Sequence, residues 1–201
     1  DRLAQYFRLF GFGRITGIDI GREYKGTIPN TAFMNKRYGR FGWSKGSLLN
    51  FCIGQGEILV TPIQVFNYVN LLATKGNSNS PHLVSSTKKD SQIEIPLSSQ
   101  IWDRIIFDMG QVVSHAKGTG KNADPAIQGA KIYGKTGTAE NPHGEDHAWF
   151  IGWVEYDKKK FSIVVLLENS GSGGSVAAPL AKNVFEKIIS GINNSKQISM
   201  K

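Results

Sequence analysis

Apolar side chains recur at helical spacing at the start of the chain. Within residues 1–10 the apolar residues Leu3, Tyr6, Phe7 and Phe10 share one face, which predicts a helix that ends at Gly11. Residues 11–60 contain many glycines and few periodic runs, so we expect ordered loops around short elements there.

A strong start signal for a helix follows at Thr61-Pro62-Ile63-Gln64. Threonine caps helices, proline suits the first helical position, and Gln64 stands where a capping box requires it. The apolar positions Val65, Val69 and Leu72 continue this helix until Gly76 ends it. Residues 77–96 are polar and broken and predict a surface loop.

The second half of the chain predicts two more helices. One follows Ser98 or Ser99, with a broad apolar face formed by Ile101, Ile105, Met109, Val112 and Val113. The other is expected to be capped by Ser175, with a face formed by Val176, Leu180, Val184, Ile188 and Ile192. Pro179 is compatible with this helix because the first turn has no internal N–H bonds to lose.

Between these two helices the pattern changes to that of strands. We expect strands at Ala130–Thr138, Ala148–Val154 and Phe161–Leu167, with a polar turn over 155–160. The third alternates poorly, which indicates that both of its faces are covered. Hairpin strands flanked by helices predict an α+β fold with an antiparallel sheet.

The composition narrows the function classes. With 201 residues and 40% hydrophobic residues, the chain can bury the core of one large domain or two small ones. Its apolar runs are too short to span a bilayer, and no signal-peptide pattern opens it. The single cysteine, Cys52, excludes an internal disulfide framework and a multi-cysteine zinc site.

The net charge of +8 is carried by scattered basic residues. No RNA-recognition, helix-turn-helix or zinc-finger pattern accompanies them, so we expect no nucleic-acid partner. The charge suits an acidic partner or a membrane surface.

The clearest candidate chemistry lies in Lys135-Thr136-Gly137-Thr138, on the first predicted strand. The Lys135 ammonium attracts an anionic ligand, and the two threonine hydroxyls can bind a carboxylate. Gly137 lacks a Cβ, so a ligand can lie against the backbone like an added strand. Without its context, the triplet is equally compatible with a glycine turn beside a surface strand.

This segment resembles the third active-site motif of penicillin-binding proteins and serine β-lactamases. Other stretches stand in the order and spacing of class B penicillin-binding proteins, of the penicillin-binding protein 2 type. They are GFGRITGIDI, Gly26-Thr27-Ile28-Pro29, IGQGEILVTPIQ, the segment DHAWFIG at 146–152, and LLENSGSGGSVAAP. Serine β-lactamases are not expected to carry the GQG…TPIQ stretch.

The resemblance implies a peptidoglycan D,D-transpeptidase that binds β-lactams, works through an acyl-serine and needs no cofactor. It assigns ligand orientation and proton transfer to Lys135 and carboxylate binding to Thr136 and Thr138. The backbone N–H of Thr138 then forms half of an oxyanion hole. It also implies stem peptides and a membrane cell-wall synthesis partner, on the periplasmic side of the inner membrane with an anchor outside this chain.

One departure concerns the nucleophile. The family's S-x-x-K and S-x-N motifs precede the GFG segment, and no S-x-N occurs in this chain. The S-x-x-K strings Ser85/Lys88, Ser86/Lys89 and Ser114/Lys117 lie in a polar loop or at a helix end, so we expect none to be the nucleophile. We therefore expect residues 1–201 to be the C-terminal part of one transpeptidase domain. The alternative is a catalytically empty module that binds peptidoglycan or a partner.

Two weaker patterns remain. His143 and His147, with Glu145 and Asp146 between them, have the residue types of a metal site, but without a zincin helix a loop histidine beside the active-site strand is favoured. The glycines of 171–174 lack a Walker lysine and predict a flexible turn before Ser175.

Overall fold

The computed structural model describes residues 1–84 and 92–199. The chain divides into two compact units, Asp1–Pro96 and the residues from Leu97 onward. Among the residues described, no helix is both long and apolar enough to cross a membrane.

The first unit contains four helices and a short β-ladder. The helices are α1 (Arg2–Leu9), α2 (Thr31–Tyr38), α3 (Lys45–Cys52) and α4 (Pro62–Ala73), and the strands are β1 (Asn77–Asn79) and β2 (Gln92–Glu94). The ladder pairs Asn77 with Glu94 in antiparallel register. The expectation of a plain surface loop over 77–96 was therefore wrong. These two strands are short and polar and lack the apolar alternation by which a strand is recognised in a sequence.

Helix α4 begins with the predicted capping box. The Thr61 side chain accepts a hydrogen bond from the Gln64 backbone, and the Gln64 side chain accepts one from the Thr61 backbone. Gln64 is only 2% exposed, and its Nε2 donates to the carbonyl oxygens of Arg14 (2.7 Å) and Lys25 (2.9 Å). The buried Gln64 side chain therefore links the loops that contain Arg14 and Lys25 to the start of α4. This agrees with the prediction of ordered loops over residues 11–60.

The second unit is built on an antiparallel sheet in the order β3-β4-β5. Its strands are β3 (Lys131–Ala139), β4 (His147–Tyr156) and β5 (Lys159–Leu167), which confirms the three predicted strands. Helix α5 (Ser99–Ser114) packs along β3, and α6 (Ala178–Ser199) packs on β4 and β5. The core between α6 and the sheet contains Phe150, Val154, Phe185 and Ile189.

Three details of the expected packing are wrong. In α6 the buried face is formed by Ala178, Ala181, Phe185 and Ile189, whereas the expected Val176, Leu180 and Val184 are 36–40% exposed. In α5, Ile101 is exposed and the neighbouring Trp102 is buried in its place. In β5 only Val165 is buried, and Ser162, Val164 and Leu166 on the opposite face are partly exposed, so the second face is not fully covered.

The start of α6 also differs from the expectation. A π-helical turn, Gly173–Ala177, precedes α6, so Ser175 lies inside this turn and is not the cap. Pro179 occupies the second residue of α6, within the first turn, as predicted.

Candidate functional site

The candidate segment Lys135–Thr138 lies in the second half of β3. Lys135 stands opposite Ile151 of β4, and Gly137 stands opposite Trp149. Two glycines allow this close pairing. A β-carbon at Gly134 would come within 2.4 Å of the Phe150 ring, and one at Gly152 within 2.1 Å of the Tyr133 carbonyl oxygen. The glycines thus let the core aromatic ring lie directly beneath the strand that presents Lys135.

The Lys135 side chain is exposed, and its Nζ donates a hydrogen bond to the carbonyl oxygen of Thr136. The ammonium is therefore held over its own strand while it remains accessible to solvent. Lys135 and the two threonines lie on opposite faces of β3, but β3 is an edge strand of the described sheet, so an anionic ligand bound along this edge can reach both the ammonium and the hydroxyls.

The two threonines of the segment have different partners. Thr136 Oγ1 lies 2.8 Å from Thr119 Oγ1, a residue of the connection between α5 and β3. Thr138 is exposed, and its Oγ1 accepts a hydrogen bond from the backbone N–H of Gly173 at 3.4 Å. Each hydroxyl therefore has a protein contact and retains capacity for a ligand.

A glycine turn packs against this part of β3. A β-carbon at Gly173 would lie 2.4 Å from the carbonyl oxygen of Gly137 and 2.1 Å from that of Trp149. The next residue, Gly174, lies against Thr119, and its carbonyl oxygen accepts a hydrogen bond from Asn122 Nδ2 at 3.0 Å. The expected flexible turn is in fact tightly packed against the candidate site.

Sequence reasoning missed Thr119, Asn122 and the packing role of Gly173. A signal for Thr119 was present, because glycines flank it at 118 and 120. A β-carbon at Gly118 would lie 2.3 Å from the Val112 carbonyl oxygen, and such a tight turn is a recurrent way to present a functional side chain.

Tyr133 lies two residues before Lys135 and therefore on the same face of β3. Its ring stacks on Trp153 with a centroid distance of 4.8 Å and an interplanar angle of 12°. Burial raises the pKa of the Tyr133 hydroxyl, and the Glu155 carboxylate raises it further. Tyr133 is accordingly a neutral packing residue at physiological pH.

The described S-x-x-K string has no catalytic geometry. Ser114 is the last residue of α5, and its hydroxyl donates to the Gly110 carbonyl oxygen at 3.0 Å. Its proton is thus directed to the helix backbone and not to Lys117. The strings Ser85/Lys88 and Ser86/Lys89 lie outside the described residues.

The histidine pair is separated by a turn. His143 is exposed, whereas His147 begins β4 opposite Ala139. His147 Nδ1 accepts the backbone N–H of Asn169 at 3.0 Å, which leaves its proton on Nε2. Within residues 1–84 and 92–199, no group of three or more His, Cys, Asp and Glu side chains is placed to hold a metal ion.

Comparison with known proteins gives a consistent result. Residues 1–186 match the family described as penicillin binding protein transpeptidase domain. The chain is 36% identical to the peptidoglycan D,D-transpeptidase MrdA of Haemophilus influenzae, over 92% of this chain and 32% of that protein. The chain thus spans about a third of the length of this relative.

Two solved structures are similar as well. PBP2 of Pseudomonas aeruginosa, in complex with WCK 5153, superposes with a TM-score of 0.80 at 33% identity, over 92% of this chain and 42% of that one. PBP2 of Helicobacter pylori, in complex with MreC, superposes with a TM-score of 0.75 at 30% identity, over 91% and 35%. These similarities confirm the expected α+β transpeptidase fold.

Proposed function

Because this chain belongs to the penicillin-binding protein transpeptidase family, we propose that it supplies the substrate-binding part of a peptidoglycan D,D-transpeptidase domain. The observation that carries the proposal is the exposed Lys135 ammonium beside Thr136, Gly137 and Thr138 on one accessible segment of β3. On this proposal residues 1–201 are the C-terminal part of a single such domain.

In the proposed complex, this segment binds the end of a stem peptide. The Lys135 ammonium attracts the terminal carboxylate, and the hydroxyls of Thr136 and Thr138 donate hydrogen bonds to its oxygens. Gly137 has no side chain to obstruct a peptide that lies along β3. The backbone N–H of Thr138 donates to the oxygen of the reacting carbonyl.

The reaction itself requires a serine that we place outside these 201 residues. Its activated hydroxyl oxygen attacks the carbonyl carbon of the penultimate D-alanine, and the carbonyl oxygen becomes negative. The peptide bond breaks, the terminal D-alanine leaves with a proton on its nitrogen, and an acyl-serine remains. An amine of a second stem peptide then attacks this ester, forms the cross-link and returns the proton to the serine.

A β-lactam would use the same contacts, since it also carries a carboxylate and a reactive carbonyl. The match of residues 1–186 to the penicillin binding protein transpeptidase domain supports this extension. We also propose a membrane cell-wall synthesis partner, and the similarity to PBP2 of H. pylori in complex with MreC supports the presence of a protein partner. We accordingly propose a location on the periplasmic side of the inner membrane.

The function is tested by replacing Lys135 with alanine in the complete transpeptidase domain. A partly desolvated, charge-assisted contact contributes about 1.5–3 kcal/mol, so the second-order rate constant of acylation by a fluorescent penicillin should fall at least tenfold. Lys131 is the matched control, since it is also exposed and shares the face of β3 with Lys135. The variant Lys131→Ala should react within about twofold of wild type, because a solvated charge contributes little.

The alternative is a catalytically empty module on the same scaffold. An acylation rate for Lys135→Ala within twofold of the wild-type rate would mean that the segment is only a turn beside a strand. Absence of any labelling of the wild-type domain would favour the alternative directly.

A further inference from the structure

The hydroxyl of Thr136 has a protein partner that the proposed function does not use. Thr119 Oγ1 lies 2.8 Å from Thr136 Oγ1, so the two hydroxyls share one hydrogen bond across 17 residues of sequence. Thr119 is exposed and Thr136 is half-buried, so the pair is accessible to solvent and to a ligand bound along β3.

Thr119 is held in this position by its neighbours on the chain. The backbone N–H of Gly120 donates to the carbonyl oxygen of Val112 at 2.9 Å, which fastens the turn to the end of α5. Gly118 packs so closely on the Val112 carbonyl that a β-carbon there would clash at 2.3 Å.

The π-helical turn Gly173–Ala177 also packs against the turn that contains Thr119. A β-carbon at Gly174 would come within 2.6 Å of the Thr119 carbonyl oxygen, so the two backbones are in direct contact. Asn122 Nδ2 donates to the Gly174 carbonyl oxygen and joins the two segments. The Thr119 hydroxyl is therefore presented by a fixed backbone.

We propose that Thr119 is a positioning residue that directs the hydroxyl proton of Thr136 toward the ligand carboxylate. This inference rests on the proposed function and deepens it. A hydroxyl has one proton to donate and two lone pairs that accept. When Thr119 donates to Thr136 Oγ1, the single proton of Thr136 is left for an acceptor outside the protein.

The consequence is selectivity for an anionic group. A carboxylate oxygen only accepts hydrogen bonds, and a bond to a charged acceptor is stronger than one to a neutral acceptor. Because the Thr136 hydroxyl proton already points away from Thr119, the hydroxyl can donate to a ligand carboxylate without rotating first. A ligand whose carboxylate is masked as an ester gains less from this arrangement.

The test compares Thr119→Val with Thr119→Ser in the complete transpeptidase domain. Valine keeps the branched shape and removes the hydroxyl, whereas serine keeps the hydroxyl. With a penicillin that bears a free carboxylate, Thr119→Val should lower the second-order acylation rate constant roughly three- to tenfold, the range for one lost hydrogen bond. Thr119→Ser should stay within about twofold of wild type, because the same donor remains.

Two further measurements separate positioning from folding. With the methyl ester of the same penicillin, Thr119→Val should change the rate less than twofold, since the charged acceptor is absent. Adding Thr119→Val to Thr136→Val should cause no further loss, because both remove the same interaction. Ser114→Ala is the matched control, because it removes a hydroxyl of the same unit that donates to the Gly110 carbonyl oxygen of its own helix.

The outcomes distinguish this inference from the proposed function. Normal labelling of wild type with undiminished labelling of Thr119→Val would overturn the inference alone. Equal losses with the free acid and the ester, or additive losses in the double variant, would also overturn it. No labelling of the wild-type domain would overturn the proposed function and this inference with it.

Discussion

Gly173 lies against the backbone of Gly137 so closely that a β-carbon at residue 173 would stand 2.4 Å from the Gly137 carbonyl oxygen. The same β-carbon would stand 2.1 Å from the carbonyl oxygen of Trp149 on the paired strand. The turn before α6 and the two central strands thus meet without side chains between them. This contact supports the segment to which we assign ligand binding.

Gly173→Ala should therefore disturb both stability and acylation. Overpacking of a tight backbone contact costs about 1–3 kcal/mol, and we expect a lower melting temperature together with slower penicillin acylation of the complete domain. Gly191→Ala in α6 is the control, because nothing lies within 4 Å of its β-carbon position. Alanine there should leave acylation unchanged and stabilise the helix by about 0.5–1 kcal/mol. A Gly173→Ala variant as stable as wild type would refute the close contact.

The buried amide of Gln64 provides a second prediction. Replacement by alanine leaves the carbonyl oxygens of Arg14 and Lys25 and the Thr61 N–H without this partner. Since each of the three lost hydrogen bonds contributes about 0.5–1.5 kcal/mol, we expect Gln64→Ala to lower the free energy of unfolding by about 2–4 kcal/mol. Chemical denaturation of the complete domain measures this change.

The exposed Gln5 of α1 offers the matched control in the same unit. Gln5→Ala should change the free energy of unfolding by less than about 0.5 kcal/mol, as is usual for surface positions. Equal effects of the two substitutions would show that Gln64 does not fasten the loops.

A third prediction concerns pH and the Asp19 carboxylate. Its two oxygens accept the backbone N–H groups of Leu83 (2.7 Å) and Val84 (2.8 Å). These hydrogen bonds hold the pKa of Asp19 below its ordinary value. Since the folded pKa is lowered, the stabilisation is fully present above the unfolded value of about 3.9 and disappears as the pH falls through the folded pKa.

NMR titration can follow this change at the amide protons of Leu83 and Val84. Each shift should show a step below about pH 4, where the Asp19 carboxylate takes up its proton. In Asp19→Asn the same step should vanish, because the titrating group is absent. A midpoint at or above that of an ordinary aspartate would be inconsistent with the two hydrogen bonds.

The parts of the fold that sequence predicted correctly depend on local signals. The capping box at Thr61 and Gln64 is complete within four residues, and the structure confirms both of its bonds. The three strands of the second unit were predicted from β-rich runs separated by turns. The segment 135–138 could be selected as a site only because its neighbours resemble one family.

The predictions were wrong or incomplete where contacts between segments distant in sequence determine which side chains are buried or paired. A spacing of four marked Val176, Leu180 and Val184 as one face, but the adjacent face with Ala178 and Ala181 packs on the sheet. Small side chains permit closer approach of a helix, and spacing alone does not choose between adjacent faces. Thr119 was missed because its partner, Thr136, is 17 residues away across a turn.

We propose, as the central point, that Lys135–Thr138 bind the substrate while the nucleophilic serine lies outside residues 1–201. The most direct test is to locate the penicilloyl group in the acylated complete protein by intact-mass spectrometry and peptide mapping. We predict one adduct, on a serine of an S-x-x-K sequence outside residues 1–201, and no adduct on the isolated chain. A stoichiometric adduct on Ser114, Ser85 or Ser86 would contradict the account.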